Sequence, residues 1–336
     1  MKTAGTARRH AADLLAATGM PADRATRSAE AIVTADVWGV PSHGMMRLPY
    51  YLDRLVAGGY QPAAELSAVR DTGPLVAYAG DGGLGHWQLW EAAELAASRC
   101  ATYGIAAVSV ADSGHCGALG VYTLPMVHAG VVGLAFSNGP AVMPPWGGTA
   151  PVLSTSPLAF GIPGEPPSIV DLATSAVARG KIAQHARSGT ELPTGWAFDA
   201  EGHPTTDATA ALHGMLAPLG GAKGFALAFA VEALTAGLVG PSRSTEVVDM
   251  FRPDDAAKRQ GISHLVVALS PELCSPAGDP ADRLSALATS VREAGGRVPG
   301  QGRVDPRHVP DDHPLDIDST VVEELSTWAD RLGVAR

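Results

Sequence analysis

Apolar runs short enough to be strands alternate along this chain with windows long enough to be helices, which limits it to an α/β or α+β fold. Residues 6–38 read as two helices broken at Gly19-Met20-Pro21, with Leu14, Leu15, Ile32, Val33 and Val37 on their apolar faces. A third helix is expected over residues 45–57, stopped by Gly58-Gly59. Strand-like runs at 75–78 and 105–110 flank a helix at 87–100. From 117 to 164, apolar runs such as 131–136 and 157–160 lie between Gly/Pro turns, the texture of short strands and functional loops. Ser168–Leu172 reads as a strand followed by a short helix, and the nearly all-apolar helix 224–238 is expected to be buried. The β-branched run 264–269 predicts a central strand, Pro280–Glu293 a surface helix, and Ser319–Leu332 a last helix capped by Ser319 or Thr320. No repeat of solenoid period occurs.

With 336 residues, 46% of them hydrophobic, the chain can bury a large core, and its length suggests about two domains. Lys+Arg 24 against Asp+Glu 34 leaves a net charge of −10, which excludes the basic stripe of a nucleic-acid surface. An anionic substrate remains compatible, because a few cations in one cleft outweigh a negative exterior locally. The three cysteines, Cys100, Cys116 and Cys274, form neither a disulfide framework nor a zinc motif. The histidines show no HxxxH or HxH spacing, so no metal is expected. Residues 1–20 lack the continuous apolar core of a signal peptide, and no stretch reaches the roughly 18 apolar residues of a membrane span. A soluble, cytoplasmic enzyme with no membrane or nucleic-acid partner is the expectation.

Residues 80–85 satisfy GxGxxG between a strand and a helix, with Asp112 after the next strand, the outline of a dinucleotide fingerprint. Glycine is common here, 39 residues, and the bulky His86-Trp87 stands where a phosphate-binding helix would begin, so a plain glycine turn is an equal reading.

Three clusters carry chemistry. In the first, a helix through Ser42-His43-Gly44, Arg47 and Tyr51 would place imidazole, guanidinium and phenol on one face. That set suits a 2-substituted carboxylate: Arg47 clamps the carboxylate and His43 or Tyr51 moves a proton at C2. A helix cap with a solvated polar face is the plain alternative. No nucleophile elbow is present, since Val40 stands where one needs glycine. The second is residues 113–120, where His115 joins glycines that expose amide N–H groups to a cofactor phosphate; a turn histidine is the alternative. The third is a set of loops holding Asn138, residues 144–148 and 154–158, Asp171 to Ser175, and Lys223 between glycines. A cation at a helix start opposes the macrodipole, which favours a functional reason for Lys223.

The segments SHGMMRLPYY, SGHCGALGVY, PPWGG, STSPLAFGIP, DLATSAVARGKI, GWAFDAEGHPTTD, GGAKGFALAFAVEAL and RVPGQGR occur in this order between residues 6 and 334. So many collinear motifs resemble the malate/L-lactate dehydrogenase superfamily that is distinct from the Rossmann-fold enzymes of the same names. Its relatives include ureidoglycolate and sulfolactate dehydrogenases, diketogulonate reductase and the Δ1-piperideine/Δ1-pyrroline-2-carboxylate reductases. The resemblance implies a mainly antiparallel, non-Rossmann cofactor sheet flanked by helices, which reduces residues 80–85 to a structural turn. It implies an N-terminal helical segment (1–58), a substrate and dimerisation domain (59–118 with 305–336) and an NAD(P)-binding domain (119–304), in a homodimer. Ser42, His43 and His115 match catalytic positions, the two histidines ranking equally as acid/base. Arg47, Tyr51 and Thr155 match substrate contacts. Gly117, Ala118, Leu119, Gly120, Tyr122, Asn138, Asp171, Leu172, Ala173, Lys223, Pro299, Gly300 and Arg303 match positions facing NAD or NADP.

The sequence departs from the family pattern at Ser156 (usually Asn), at Cys116 (usually aromatic), and at Pro140 and Pro145. These positions border the pocket and put a standard malate or lactate substrate in doubt. Imine reductases of the family carry Asp where Lys181 stands, which favours a 2-hydroxy/2-oxo acid. The expected activity is hydride transfer between nicotinamide and C2 of a small carboxylate. The alternatives are reduction of a cyclic C=N substrate and, from another class, a non-catalytic binding relative.

Overall fold

The computed structural model describes residues 2–276 and 278–335. Helices α1 (Ala4–Ala17) and α2 (Ala22–Val37) are separated where expected, by Gly19 at φ +97° and by Pro21 at the cap of α2. Two 3-10 turns, Pro41–His43 and Met45–Arg47, precede α3 (Leu48–Ala57), which carries Pro49 in its first turn and ends on left-handed Gly58. The single face expected for His43, Arg47 and Tyr51 is therefore corrected. Gly44, at ψ −144°, breaks the chain between the two turns, and Tyr51 points into the core.

Strands β1 (Ser67–Asp71), β2 (Leu75–Gly83) and β3 (Ile105–Ser113), with α4 (Gly85–Tyr103) between the last two, lead to the short α5 (Leu124–His128). Next come β4 (Val132–Ser137), β5 (Leu158–Ile162), β6 (Ser168–Leu172) and α6 (Arg179–Ser188). A small unit follows, with β7 (Ala197–Phe198), β8 (Pro204–Thr205), α7 (Ala208–His213) and β9 (Met215–Leu216). Helix α8 (Ala222–Glu232) runs on into a π-turn, Ala233–Gly237, before β10 (Ile262–Leu269). The chain closes with α9 (Pro271–Cys274), α10 (Pro280–Glu293) and α11 (Ser319–Leu332). Asp318 caps α11 through Thr320 N–H at 2.8 Å, a correction to Ser319 or Thr320.

Seven strands form one sheet in the order β1-β2-β3-β10-β4-β5-β6. β2 and β3 are parallel across α4 and every other pair is antiparallel, so the sheet is mainly antiparallel with β10 at its centre. It takes strands from both sides of residue 118, so the expected domain boundary there runs within one sheet. Ala92, Ala93 and Ala96 of α4 cover Val108 and Val266, and small side chains let helix and sheet approach closely. A second core joins α1, α2 and α3 to α11 through Leu14, Ile32, Leu48 and Trp328. A third holds β7, β9, α6 and α8 around Met143, Ile182, Leu216 and Ala228.

The GxGxxG turn is packed shut. A Cβ on Gly85 would lie 2.3 Å from the Gly114 carbonyl, and one on Gly83 2.4 Å from Gln88 Nε2. Gly80 and Gly85 are pressed by β3 and the loop after it, and Gly83 by Gln88 of α4. Helix 224–238 is not buried as expected: Leu227, Phe229 and Leu238 are 41%, 60% and 70% exposed, while Ala228, Val231 and Thr235 face inward. One chain covers one side of an all-apolar helix here and leaves the other open. Among the described residues, no helix is long and apolar enough to cross a membrane, and no group of three or more His, Cys, Asp or Glu could hold a metal.

Candidate active site

A cleft of about 370 Å³ opens where the Pro41–Arg47 turns, the loop after β3 and the ends of β4 and β6 converge. Thirteen expected site residues line it: Ser42, His43, Arg47, His115, Gly117, Ala118, Leu119, Asn138, Thr155, Asp171, Leu172, Ala173 and Arg303. Tyr51, Gly120, Tyr122, Pro299, Gly300 and Lys223 do not.

His43 and His115 stack with centroids 6.1 Å apart and planes 20° apart, although 72 positions separate them in sequence. His115 Nδ1 lies 3.1 Å from Gly117 N and 2.8 Å from the Tyr51 hydroxyl. An amide N–H can only donate, so Nδ1 is an acceptor and the neutral ring carries its proton on Nε2. Tyr51 thus stands behind His115 rather than in the cleft. His43 Nδ1 is 3.0 Å from Ser42 Oγ. Burial, then the nearby Arg47, brings the His43 pKa down to about 4. Burial, helped by His43, His86 and Arg47, holds His115 well below the usual imidazole value. Both rings are neutral at pH 7.

Arg47 is held on three sides. Its Nε donates to Ser42 O at 2.7 Å, and its guanidinium carbon sits 4.5 Å from the Phe251 centroid and 5.7 Å from that of Tyr50. Both Nη groups remain for a ligand, which matches the fork a carboxylate requires. Thr155 accepts from Thr174 through its carbonyl, and among the described residues its hydroxyl has no partner.

The opposite wall is mostly backbone. Gly117, Ala118, Gly139, Ala173 and Gly180 present little side chain. Gly117, at φ +70°, would place a Cβ 2.8 Å from His86 Nε2, so nothing larger can intrude there. A smooth wall of this kind fits the flat ring and ribose of a nicotinamide dinucleotide. Gly120 lies against Asp171: a Cβ there would be 2.9 Å from the Asp171 Cβ. Burial pushes the Asp171 carboxyl up, opposed by the Gly120 amide and Arg303. Pro299 O accepts from Ile169 N at 3.1 Å, and a Cβ on Gly300 would meet that strand at 2.7 Å. These two residues hold their loop on β6 and so deliver Arg303, whose guanidinium lies 4.9 Å from the Trp38 ring centroid. Asn138 lines the cleft, but its amide is spent on Ser263 N and Ser242 O, at 2.8 and 3.0 Å. Tyr122 is buried and donates to Cys116 O. Lys223 is exposed on the first turn of α8, outside the cleft. Burial pushes the Cys116 thiol up to about 12, so it is no nucleophile at neutral pH.

Some lining residues, Asp249, Phe251 and Gln260 among them, lie outside every motif of the sequence. Arg179 and Asp249 pair at 3.0 Å in the cleft wall beside Phe251 and Gln260. Lys181 is exposed and outside the cleft, so the carboxylate on that side comes from Asp249. The loop holding Asp249 and Phe251 is tied down by buried Arg54, which donates to the carbonyls of Asp255, at 3.1 Å, and Lys258. Nothing in the spacing of these residues announces them.

Known proteins resemble this chain in sequence and fold. The family model described as malate/L-lactate dehydrogenase matches residues 3–326. The NADP+-dependent (2R)-3-sulfolactate dehydrogenase of Chromohalobacter salexigens is 36% identical over 94% of both chains. The solved Δ1-piperideine-2-carboxylate reductase of Pseudomonas syringae superposes with a TM-score of 0.88 at 30% identity, covering 97% of this chain and 99% of that one. The sulfolactate dehydrogenase of Methanocaldococcus jannaschii superposes with a TM-score of 0.88 at 28% identity, covering 99% and 98%. The chain therefore belongs to the malate/L-lactate dehydrogenase family and is an NAD(P)-dependent oxidoreductase.

Proposed function

We propose that the chain interconverts a small 2-hydroxy acid and its 2-oxo acid, with Arg47 gripping the carboxylate, His115 donating a hydrogen bond to the C2 oxygen and His43 carrying the proton. A nicotinamide held against the wall of Gly117, Ala118 and Ala173 would supply the hydride acceptor or donor for C2. The observation that carries the reading is the Gly117 N–H on His115 Nδ1, which leaves the cleft a fixed Nε2–H donor. A neutral imidazole so held polarises a carbonyl oxygen but cannot accept the hydroxyl proton on Nε2. His43 can accept it, provided its Nδ1–H points at Ser42 Oγ and frees Nε2. A carboxylate on Arg47 also cancels the second cause of the low His43 pKa, easing protonation of that ring once substrate binds.

The same donor favours C=O over C=N, since a ketone oxygen accepts a hydrogen bond and a protonated iminium nitrogen does not. Cyclic-imine reduction is the second arm of the test, supported by the resemblance to the piperideine-carboxylate reductase. The named sulfolactate relative adds 2-oxo acids with a second acidic group to the candidates. In this reading residues 1–118 supply the carboxylate grip and both imidazoles, Thr155 adds a substrate contact, and Asp171, Ala173 and Arg303 from 119–304 face the cofactor. Lys223 and the exposed apolar side of α8 fit a homodimer covering that helix, and the acidic composition fits a cytoplasmic setting.

The deciding experiment mixes purified protein with NADH or NADPH and a panel of 2-oxo acids (oxaloacetate, sulfopyruvate, pyruvate) and cyclic 2-carboxy imines, following absorbance at the reduced-nicotinamide band. Turnover of 2-oxo acids supports the reading, and turnover of imines alone replaces it with the second. No turnover, with no nicotinamide binding by calorimetry, leaves a non-catalytic binding relative.

A further inference from the structure

We propose that Asp36, at the C-terminal end of α2, is the positioning residue that fixes His43 and Arg47, acting through the backbone of Gly44 and Met45; this rests on the roles given to His43 and Arg47 above. The two 3-10 turns are joined at Gly44, whose non-helical backbone, φ −96° and ψ −144°, leaves the Met45 amide without a helical acceptor. Asp36 Oδ2 takes that amide at 2.8 Å. A Cβ on Gly44 would lie 2.3 Å from Asp36 Cγ and from both carboxyl oxygens, so the joint rests directly on the carboxyl group. Ile32, Val33 and Ala35 of α2 are fully or almost fully buried, as are the Met45 and Leu48 side chains that follow the joint. The carboxyl group is thus a fixed post. Arg47 Nε closes onto Ser42 O at 2.7 Å, making residues 42–47 one small closed unit with its polar hold at Asp36. If Asp36 lets go, the imidazole and the guanidinium move together.

The hold depends on charge. Burial raises the Asp36 carboxyl to about 7, and the Met45 amide opposes that rise. The elements packed on α2 carry ionisable groups, among them Asp13 on α1, His86 on α4, His43 and Arg47 on the two turns and Arg307 on the Pro306–His308 turn, but the causes of the shift are burial and the Met45 amide. A carboxylate binds an N–H more strongly than a carboxylic acid does, so the turn is held more firmly as pH rises through about 7.

The test compares wild type with Asp36→Ala, Asp36→Asn and Gly44→Ala. Two signals are read by NMR, the exchange of the Met45 amide and of the Arg47 Nε–H. Kinetics give KM and kcat for the turned-over acid and KM for the nicotinamide. Asp36→Ala is expected to speed both exchanges about 10-fold or more, the loss of one charge-assisted hydrogen bond. It should lower kcat/KM for the acid roughly 10–100-fold, leaving the KM for nicotinamide within about twofold. Gly44→Ala should reproduce this by pushing the carboxyl group away. Asp36→Asn keeps an acceptor but no charge, so it should match wild type at pH 6 and lack the rise in kcat/KM across pH 7. Unchanged exchange in Asp36→Ala overturns the proposal whether or not the enzyme is active. Faster exchange with unchanged kcat/KM and pH profile also overturns it, by showing a merely structural contact. If no acid or imine is turned over, the functional reading fails separately, and the Arg47 Nε–H signal still decides whether Asp36 holds the turn.

Discussion

Arg47→Lys isolates the grip on the substrate carboxylate. The native side chain spends Nε on Ser42 O at 2.7 Å and keeps both Nη groups free while stacked on Phe251 at 4.5 Å. Lysine offers one compact charge, so one of two charged hydrogen bonds to substrate is lost, about 1.5–3 kcal/mol, together with the tether to Ser42, about 1 kcal/mol. At about 1.4 kcal/mol per factor of ten, kcat/KM should fall roughly 10²–10³-fold. A carboxylate is held alike before and during hydride transfer, so most of the loss should appear in KM, with kcat within about tenfold. Phe251→Ala removes only the stacking, worth about 0.5–2 kcal/mol, and should cost roughly 3–30-fold. Initial rates over a range of acid concentrations at saturating nicotinamide give both constants, and a melting curve checks that each variant folds. Arg47→Lys within threefold of wild type, or a loss confined to kcat, would refute the assignment of Arg47 to the carboxylate.

His43→Gln should lower kcat by roughly 10²–10⁴-fold, as expected for the proton carrier, whereas His115→Gln, which keeps an N–H donor, should lower it less; the reverse order in single-turnover rates would exchange their roles. Gly85→Ala forces a Cβ to within 2.3 Å of Gly114 O, so stability should fall by about 1–3 kcal/mol and turnover should drop as His115 shifts. A loss of nicotinamide affinity with stability intact would instead restore a phosphate-binding role for residues 80–85. His86 is fully buried, has no hydrogen-bond partner for either nitrogen among the described residues, and is lowered to about 3 by burial first and His264 and His43 after it. The unfolded chain takes up that proton from about pH 6.5 downward and the folded one only near pH 3, so stability is lost as pH falls across this window, by up to about 1.4 kcal/mol per unit. Denaturant titrations at pH 7 and 5 should show His86→Met losing less stability than wild type on acidification, and equal losses would refute the burial of a neutral ring. Arg54→Met removes two charged hydrogen bonds to the loop of Asp255 and Lys258 and should cost about 3 kcal/mol by the same titrations, a change under about 1 kcal/mol contradicting it.

What the sequence made legible follows from how far each signal reaches. A β-branched run such as 264–269 carries its own evidence for a central strand, and glycines and prolines at 19–21 and 58–59 carry theirs for helix ends. The two-residue strands at 197–198, 204–205 and 215–216 are too short to show a period, so they leave no trace. Helix 224–238 misleads because apolarity all round says how much surface seeks cover and not whether one chain provides it. Tyr51 misleads differently: it stays one turn from Arg47, but the break at Gly44 takes His43 off that face, and Tyr51 is buried, where it serves His115 from behind. Asp249 and Phe251 were invisible because their loop is tied down by Arg54, which pins carbonyls some 200 positions away. The two imidazoles show the same principle from the other side. His115 and Gly117 are near neighbours, and their hydrogen bond fixes which ring nitrogen holds the proton. That local contact becomes chemistry only because α2 and the core beneath Met45 bring His43 and Arg47 to face it. A motif can thus name the reacting groups while the proton's position and the groups' aim are set by backbone contacts that no motif records.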